Sequence, residues 1–254
     1  MKIVSSLLGV SAFRGHWDDM SPINGVVWGD LVKKISETYK FTSVPTVPTG
    51  SGPTIQVVFQ AGEFESDGAK ISIHSLFLTN RGAAIQSLTT QHSDLVLESL
   101  ISLLDESFGF RIRASDFKRD HASNVVVQFD KSVENVVEAI ARIGDLVRER
   151  LSLPKDQPYS LKRLAFGKEP VVAAENAQVL AGLEAVDYMD FTIERRANAS
   201  FSENRYFAGA PMSTESLFRT LEAIEQLIGE REPAPSSNGK VKLNTLLKAS
   251  PKQK

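Results

Sequence analysis

The chain has 254 residues, 42% hydrophobic and 24% charged, an ordinary globular composition long enough for one large domain or two small ones. A net charge of −2 argues against a whole-molecule polyanion binder, so nucleic acid is unlikely as a partner beyond weak contacts from a basic segment. With no cysteine, disulfides, thiolate chemistry and zinc–cysteine sites are excluded, and the four histidines (His16, His74, His92, His121) are far apart in sequence.

The N-terminal run Ile3–Val10 is apolar but interrupted by Ser5 and Ser6, and no small-x-small cleavage pattern precedes Arg14. A cytoplasmic location is therefore expected rather than secretion. Residues 1–43 read as an N-terminal segment, in which Trp28, Leu31, Val32 and Ile35 have helical spacing. Val44–Pro53 holds three prolines and two glycines in ten residues, so 44–54 reads as a linker or extended edge. The longest uncharged stretch, Phe41–Gly62, contains Pro45, Pro48 and Pro53, so it cannot be a membrane-spanning helix, and no membrane association is expected.

From residue 55 the pattern becomes that of a folded body. Ile55, Val57, Phe59 and Ala61 alternate, Asp67-Gly68 marks a tight hairpin turn, and Ile71, Ile73, Ser75 and Phe77 alternate on the return. Ala83–Thr89 completes a three-stranded antiparallel meander. Ser93 or Asp94 is the expected cap of a helix carrying Leu97, Leu100, Ile101 and Leu104, and Gly109 its stop. Asn124–Phe129 reads as a valine-rich strand, and Ser132 opens a second helix running to about Leu153. Tyr159–Phe166, Met189–Arg195 and Arg205–Phe207 are further strands. A third helix follows Ser213, with Leu217, Leu221, Ile224 and Ile228 on its buried face.

These elements predict an α+β fold, a mainly antiparallel sheet built from hairpins in the order β-β-β-α-β-α-β-x-β-β-α, with helices packed on one face. The body spans 55–231, divisible into halves 55–153 and 154–231. Residues 232–254 read as a flexible basic tail. Its Lys240–Lys254 stretch holds five lysines and no acid, leaving about −7 on the rest of a chain whose total is −2.

Signatures of the large catalytic families are missing: there is no Gly-x-Ser-x-Gly, no His-Glu-x-x-His and no phosphate loop. Weak catalytic candidates remain. His16 with Asp18 and Asp19 places an imidazole beside two carboxylates, and Asp120 with His121 offers a carboxylate to orient a base. Solvated polar loops are the plainer expectation for both groups. Arg195, Arg196 and Arg205 on the last hairpin are candidates for clamping an anion, against the plainer expectation of cross-strand ion pairs with Glu194 and Glu203. In the tail, Lys240, Val241, Lys242, Leu243, Leu246, Leu247 and Lys248 combine charge with an apolar stripe suited to docking on a partner.

The reading that follows is a non-enzymatic interaction or assembly protein, with a protein partner or self-association as the expected contact. No cofactor and no metal is expected. A small metal- or His/carboxylate-dependent hydrolase and an anion- or small-ligand-binding domain are the alternatives.

Overall fold

A computed structural model of the chain describes residues 1–14, 22, 25–45, 56–66, 68–79, 82–112, 118–136, 149–150, 161–167 and 189–230. Among the described residues, eight strands form one sheet: β1 (Lys2–Arg14), β2 (Gln56–Ser66), β3 (Ala69–Thr79), β4 (Gly82–Ser87), β5 (Lys118–Gln128), β6 (Arg163–Phe166), β7 (Phe191–Arg195) and β8 (Arg205–Ala210). The helices among the described residues are α1 (Trp28–Thr38), α2 (Thr90–Phe108) and α3 (Thr214–Glu230). The spatial order is β2-β3-β4-β1-β5-β8-β7-β6, every neighbour antiparallel. The hairpin-rich α+β architecture is as the patterning predicts.

The meander 55–90 forms as expected, with Ser66 paired to Ala69 across the turn and Gly68 at φ +78°. Two differences stand out. Lys2–Arg14, to which the sequence pattern assigns no element, is a central strand paired to β4 and β5. The cap of α2 is Thr89, whose hydroxyl accepts from the His92 amide, while Ser93 and Asp94 lie inside the first turns with their side chains turned to the sheet. The first helix and Gly109, left-handed at φ +69°, stand where expected. Of the second expected helix, Val133–Val136 is described as a 3-10 turn and Glu149 and Arg150 as helical.

The recurring unit is wider than a hairpin plus helix. Outward from the centre, each half runs first, fourth, third, second strand: β1-β4-β3-β2 on one side and β5-β8-β7-β6 on the other. Each half closes with a helix, α2 or α3. The two meet in a strand pair, β1 with β5, in which Gly9 faces Ser123.

Packing follows from this register. Phe13 faces Arg119 and Ser6 faces Val125, so the odd-numbered residues of β5 share a face with Phe13. That face carries both main cores. Phe13, Phe59, Leu76 and Ile85 pack with Leu97 and Leu100 of α2, and Val125, Val127 and Tyr206 pack with Leu217 and Leu221 of α3. Each such fully buried side chain contributes roughly 1.5–3 kcal/mol. The opposite face is built from small residues, Val10, Ala12, Ala84 and Ala122, with Phe77 and Met189 against them.

The helices start at the junction between halves. The Thr90 amide donates to Thr214 Oγ1 (3.1 Å), and the Thr214 amide donates to Thr90 Oγ1 (2.9 Å). Each helix thus receives a cap from the other, satisfying an amide that has no partner within its own helix. Ser123 Oγ joins Thr214 Oγ1 at 3.1 Å and donates to the Met212 carbonyl. The close approach requires glycine at position 9, where a Cβ would lie 2.2 Å from the Thr89 carbonyl carbon. From this point the helices diverge. Asp94 and Glu98 of α2 reach His121 and Arg119, while Glu225 of α3 reaches the Met1 nitrogen and the Asp130 amide.

Candidate functional site

Successive residues of a strand point to opposite faces, and this separates Asp120 from His121. Asp120 pairs with Arg14, Oδ2 to Nε 3.1 Å, on the face away from the helices. His121 turns to the helices, where its Nε2 lies 3.0 and 3.1 Å from the two carboxylate oxygens of Asp94. The carboxylate that partners His121 is therefore Asp94, not its sequence neighbour. Ser11 Oγ donates to the same Asp94 at 2.6 Å, and Arg119 Nη1 bridges toward Glu98 at 3.1 Å.

Burial pushes the Asp94 carboxyl upward, but hydrogen bonds from His121 and Ser11, with the positive charge of His121 and Arg119, outweigh it and hold it below its ordinary value. The carboxylate sits between hydroxyl and imidazole. An imidazole that takes a hydroxyl proton must itself sit in the middle, and Ser11 is fully buried. The cluster can fasten α2 to β1 and β5, and its hydroxyl is closed to a substrate. His16, Asp18 and Asp19 lie outside the described residues. Among the described residues, no three His, Cys, Asp or Glu side chains group to hold a metal ion.

Arg195 is enclosed by its own half. Nε donates to the Leu161 carbonyl, Nη1 to the Phe201 carbonyl and Nη2 to Ser132 Oγ, at 3.0–3.1 Å, and the guanidinium lies over the rings of Phe201 and Tyr206. Arg205 Nε pairs with Glu203 at 3.2 Å. Arg196 is exposed, its amide bonded to the Arg205 carbonyl. Arg195 is thus turned into its own half, while Arg196 and Arg205 are neighbours across the hairpin. Lys240, Val241, Lys242, Leu243, Leu246, Leu247 and Lys248 lie outside the described residues.

Among the described residues an open edge remains, and it follows from strand lengths. β4 has six residues and β1 thirteen, so β4 pairs with Gly9–Arg14 and then leaves the sheet at Thr89. Among the described residues, Lys2–Leu8 pair with β5 alone. On the far side of the gap, β3 continues past β4, its Ala69–Ser72 stretch paired only with β2. Ile3, Val4 and Leu7 are 43%, 37% and 42% exposed, and Leu88, whose carbonyl accepts from Ser6 Oγ, is 44% exposed beside them.

The other edges are guarded. The outer edge of β2 is covered by the chain after α1: the Thr42 amide donates to the Ala61 carbonyl, Ser43 and Gln60 exchange two bonds, and the Glu63 amide donates to the Tyr39 carbonyl. β6 is only four residues long. The matching half-edge of β5, Lys118–Ala122, arises because β8 reaches only to Ser123, and it carries the charged Arg119 and Asp120. Charge, shortness and cover are the usual ways of closing an edge to another chain. Among the described residues no strand covers the apolar half of β1, and its guards are Lys2 and two register irregularities.

Among the described residues no helix is long and apolar enough to cross a membrane. No family model matches the sequence, and no curated protein matches it either.

Proposed function

We propose that this is a cytoplasmic protein-interaction module that receives an extended segment of polypeptide along the open half of β1. The observation that carries the reading is the stretch Lys2–Leu8, which among the described residues pairs on one side only, with Ile3, Val4, Leu7 and Leu88 exposed beside it. Unpaired backbone groups supply affinity by strand addition, and alternate side chains of the incoming segment supply specificity through the apolar patch. Because β3 bounds the gap, it suits a single extended segment rather than the rim of a second sheet.

The test uses a chain ending at Glu232 as bait for a displayed library of ten-residue peptides. Peptides with alternating apolar residues are expected, and they should lose about tenfold or more in affinity when Val4→Lys and Leu7→Lys charge the edge. Neither side chain belongs to a buried core, and an unchanged urea midpoint checks that the variants keep the fold. Selection of no peptide, or of peptides that bind the variants equally well, refutes the reading.

A further inference from the structure

We infer that the sheet face turned away from the helices receives a phosphorylated serine or threonine of a partner protein, on a row formed by Lys2, Gln128, Arg205 and Arg196. The row uses side chains on a face and not the backbone edge of β1, so it is independent of strand addition there.

The row follows from register. Lys2 pairs with Gln128, and Gln128 pairs with Arg205. Arg195 pairs with Tyr206, and the next step of the ladder sets Arg196 opposite Arg205, its amide donating to the Arg205 carbonyl. Residues directly opposite share a face, and the even-numbered residues of β5, Gln128 among them, point away from α2 and α3. Arg195 turns to the helix side, over the Tyr206 ring, so Arg196 turns to the other. Three cations and one amide side chain thus stand in line across β1, β5, β8 and the end of β7, about 5 Å from one strand to the next. Lys2 and Arg196 are exposed, and Arg205 is partly so.

The needs of the fold do not explain this placement. Like charges directly opposite on neighbouring strands destabilise a sheet, and Arg196 faces Arg205. The acids nearby are matched to other bases. Glu203 Oε2 lies 3.2 Å from Arg205 Nε while its Oε1 accepts from the Ser200 amide, Asp130 Oδ2 lies 3.8 Å from the Met1 nitrogen, and Glu194 stands directly opposite Arg163. Among the described residues no carboxylate pairs with Lys2 or Arg196, which leaves their two positive charges in surplus. A phosphorylated side chain carries about −1.5 to −2 and offers three acceptor oxygens, which matches that surplus where a single carboxylate does not. Guanidinium forks bind such oxygens in pairs, and the lysine adds a point charge.

The two arginines are also held in place in advance. Ser200 and Glu203 cap the turn reciprocally, Asn204 closes it at φ +48°, and the Ala199 amide donates to the Arg196 carbonyl. Small-molecule sites are concave, whereas this row lies on an exposed sheet face. A phosphate bound here therefore arrives on a polypeptide that makes further contacts. Phe207, partly exposed on the same face two residues along β8, offers one.

Peptides printed in pairs, identical except that one serine is free or phosphorylated, are probed with the full chain, and pairs that bind are titrated in solution. The phosphorylated member is expected to bind about tenfold or more tightly. Lys2→Ala with Arg196→Ala should abolish that difference and leave binding of the unphosphorylated member within about twofold. Lys33→Ala with Lys34→Ala removes the same charge from α1 and should keep the difference. All four side chains are exposed, and equal urea midpoints check that both variants are folded. Binding of no phosphorylated peptide, equal binding within every pair, or a difference that survives in the Lys2/Arg196 variant overturns the inference. Equal loss in the Lys33/Lys34 variant also overturns it, because net charge is then responsible. An oligothymidylate strand that binds the full chain more tightly than any phosphorylated peptide, and is lost in the Lys2/Arg196 variant, overturns it in favour of nucleic acid.

Discussion

Replacing Thr214 by Val keeps the shape of the side chain and removes one hydroxyl from the junction where the two halves meet. The hydroxyl accepts from the Thr90 amide, lies 3.3 Å from Thr90 Oγ1 and 3.1 Å from Ser123 Oγ. Ser123 retains the Met212 carbonyl and Thr90 Oγ1 retains the Thr214 amide, so the group left stranded is the Thr90 N–H. Thr90 is fully buried, and water cannot replace the lost acceptor. An orphaned buried donor costs about 1–3 kcal/mol, and loss of a helix cap about 0.5–2, so roughly 2 kcal/mol is expected from what is one and the same event. Thr90→Val strands the Thr214 amide in the same way and should cost a similar amount. Both variants lose the same hydroxyl–hydroxyl contact, so the double variant should fall short of the sum by about 0.5–1 kcal/mol. Urea unfolding of the four proteins measures this, with the denaturant slope as the check that the unfolded state is unchanged. A cost below about 0.5 kcal/mol for either single variant, at unchanged slope, would refute the reciprocal cap.

Three further outcomes follow from the same geometry. Gly9→Ala places a Cβ 2.2 Å from both the Thr89 carbonyl carbon and the Thr90 nitrogen, so a loss of about 3 kcal/mol or more is expected in the same unfolding assay, and a change within about 0.5 contradicts the close approach. The Asp94 carboxyl lies below its ordinary 3.8 in the folded protein, so the stability it contributes is present above that value and is lost as pH falls through the folded value. Asp94→Asn should therefore be most destabilising near neutral pH, with the gap to the parent narrowing below about pH 4, and a constant gap across the titration would remove the His121–Ser11 explanation. Burial pushes the Tyr39 hydroxyl from 10.0 up to about 12, partly offset by its hydrogen bond to Ser99, so the parent loses stability as pH rises through that interval. The loss should be about 2 kcal/mol greater than in Tyr39→Phe by pH 12, and identical alkaline profiles would show that the hydroxyl is not excluded from water.

The hairpins were legible because each has one buried face and a marked turn. Val57 and Phe59 alternate with less buried neighbours, and Gly68 supplies a positive φ. β1 was not legible for two reasons. Its second half, Gly9–Phe13, is buried on both faces and so does not alternate, and its first half loses the period-two pattern at the irregularities Ile3/Ser5 and Ser6/Leu8. The first half of β5, Lys118–His121, looks like a charged loop. It becomes a strand because β1 is long enough to pair with it. His121 could be singled out from sequence, but its partner Asp94 is 27 residues away on a helix and carried a different expected role. The open edge was out of reach for a simpler reason: it is a difference in length between β4 and β1, and it exists only once the strand order is known.

The central claim concerns where a segment binds, and residue-resolved amide exchange reads that location directly. The chain ending at Glu232 would be compared free and saturated with a library-selected peptide. Strand addition predicts slowed exchange along Ile3–Leu8, with little change along β5's Lys118–Ala122 or at β6. Slowing centred on either of those two edges, with Ile3–Leu8 unchanged, would contradict the account.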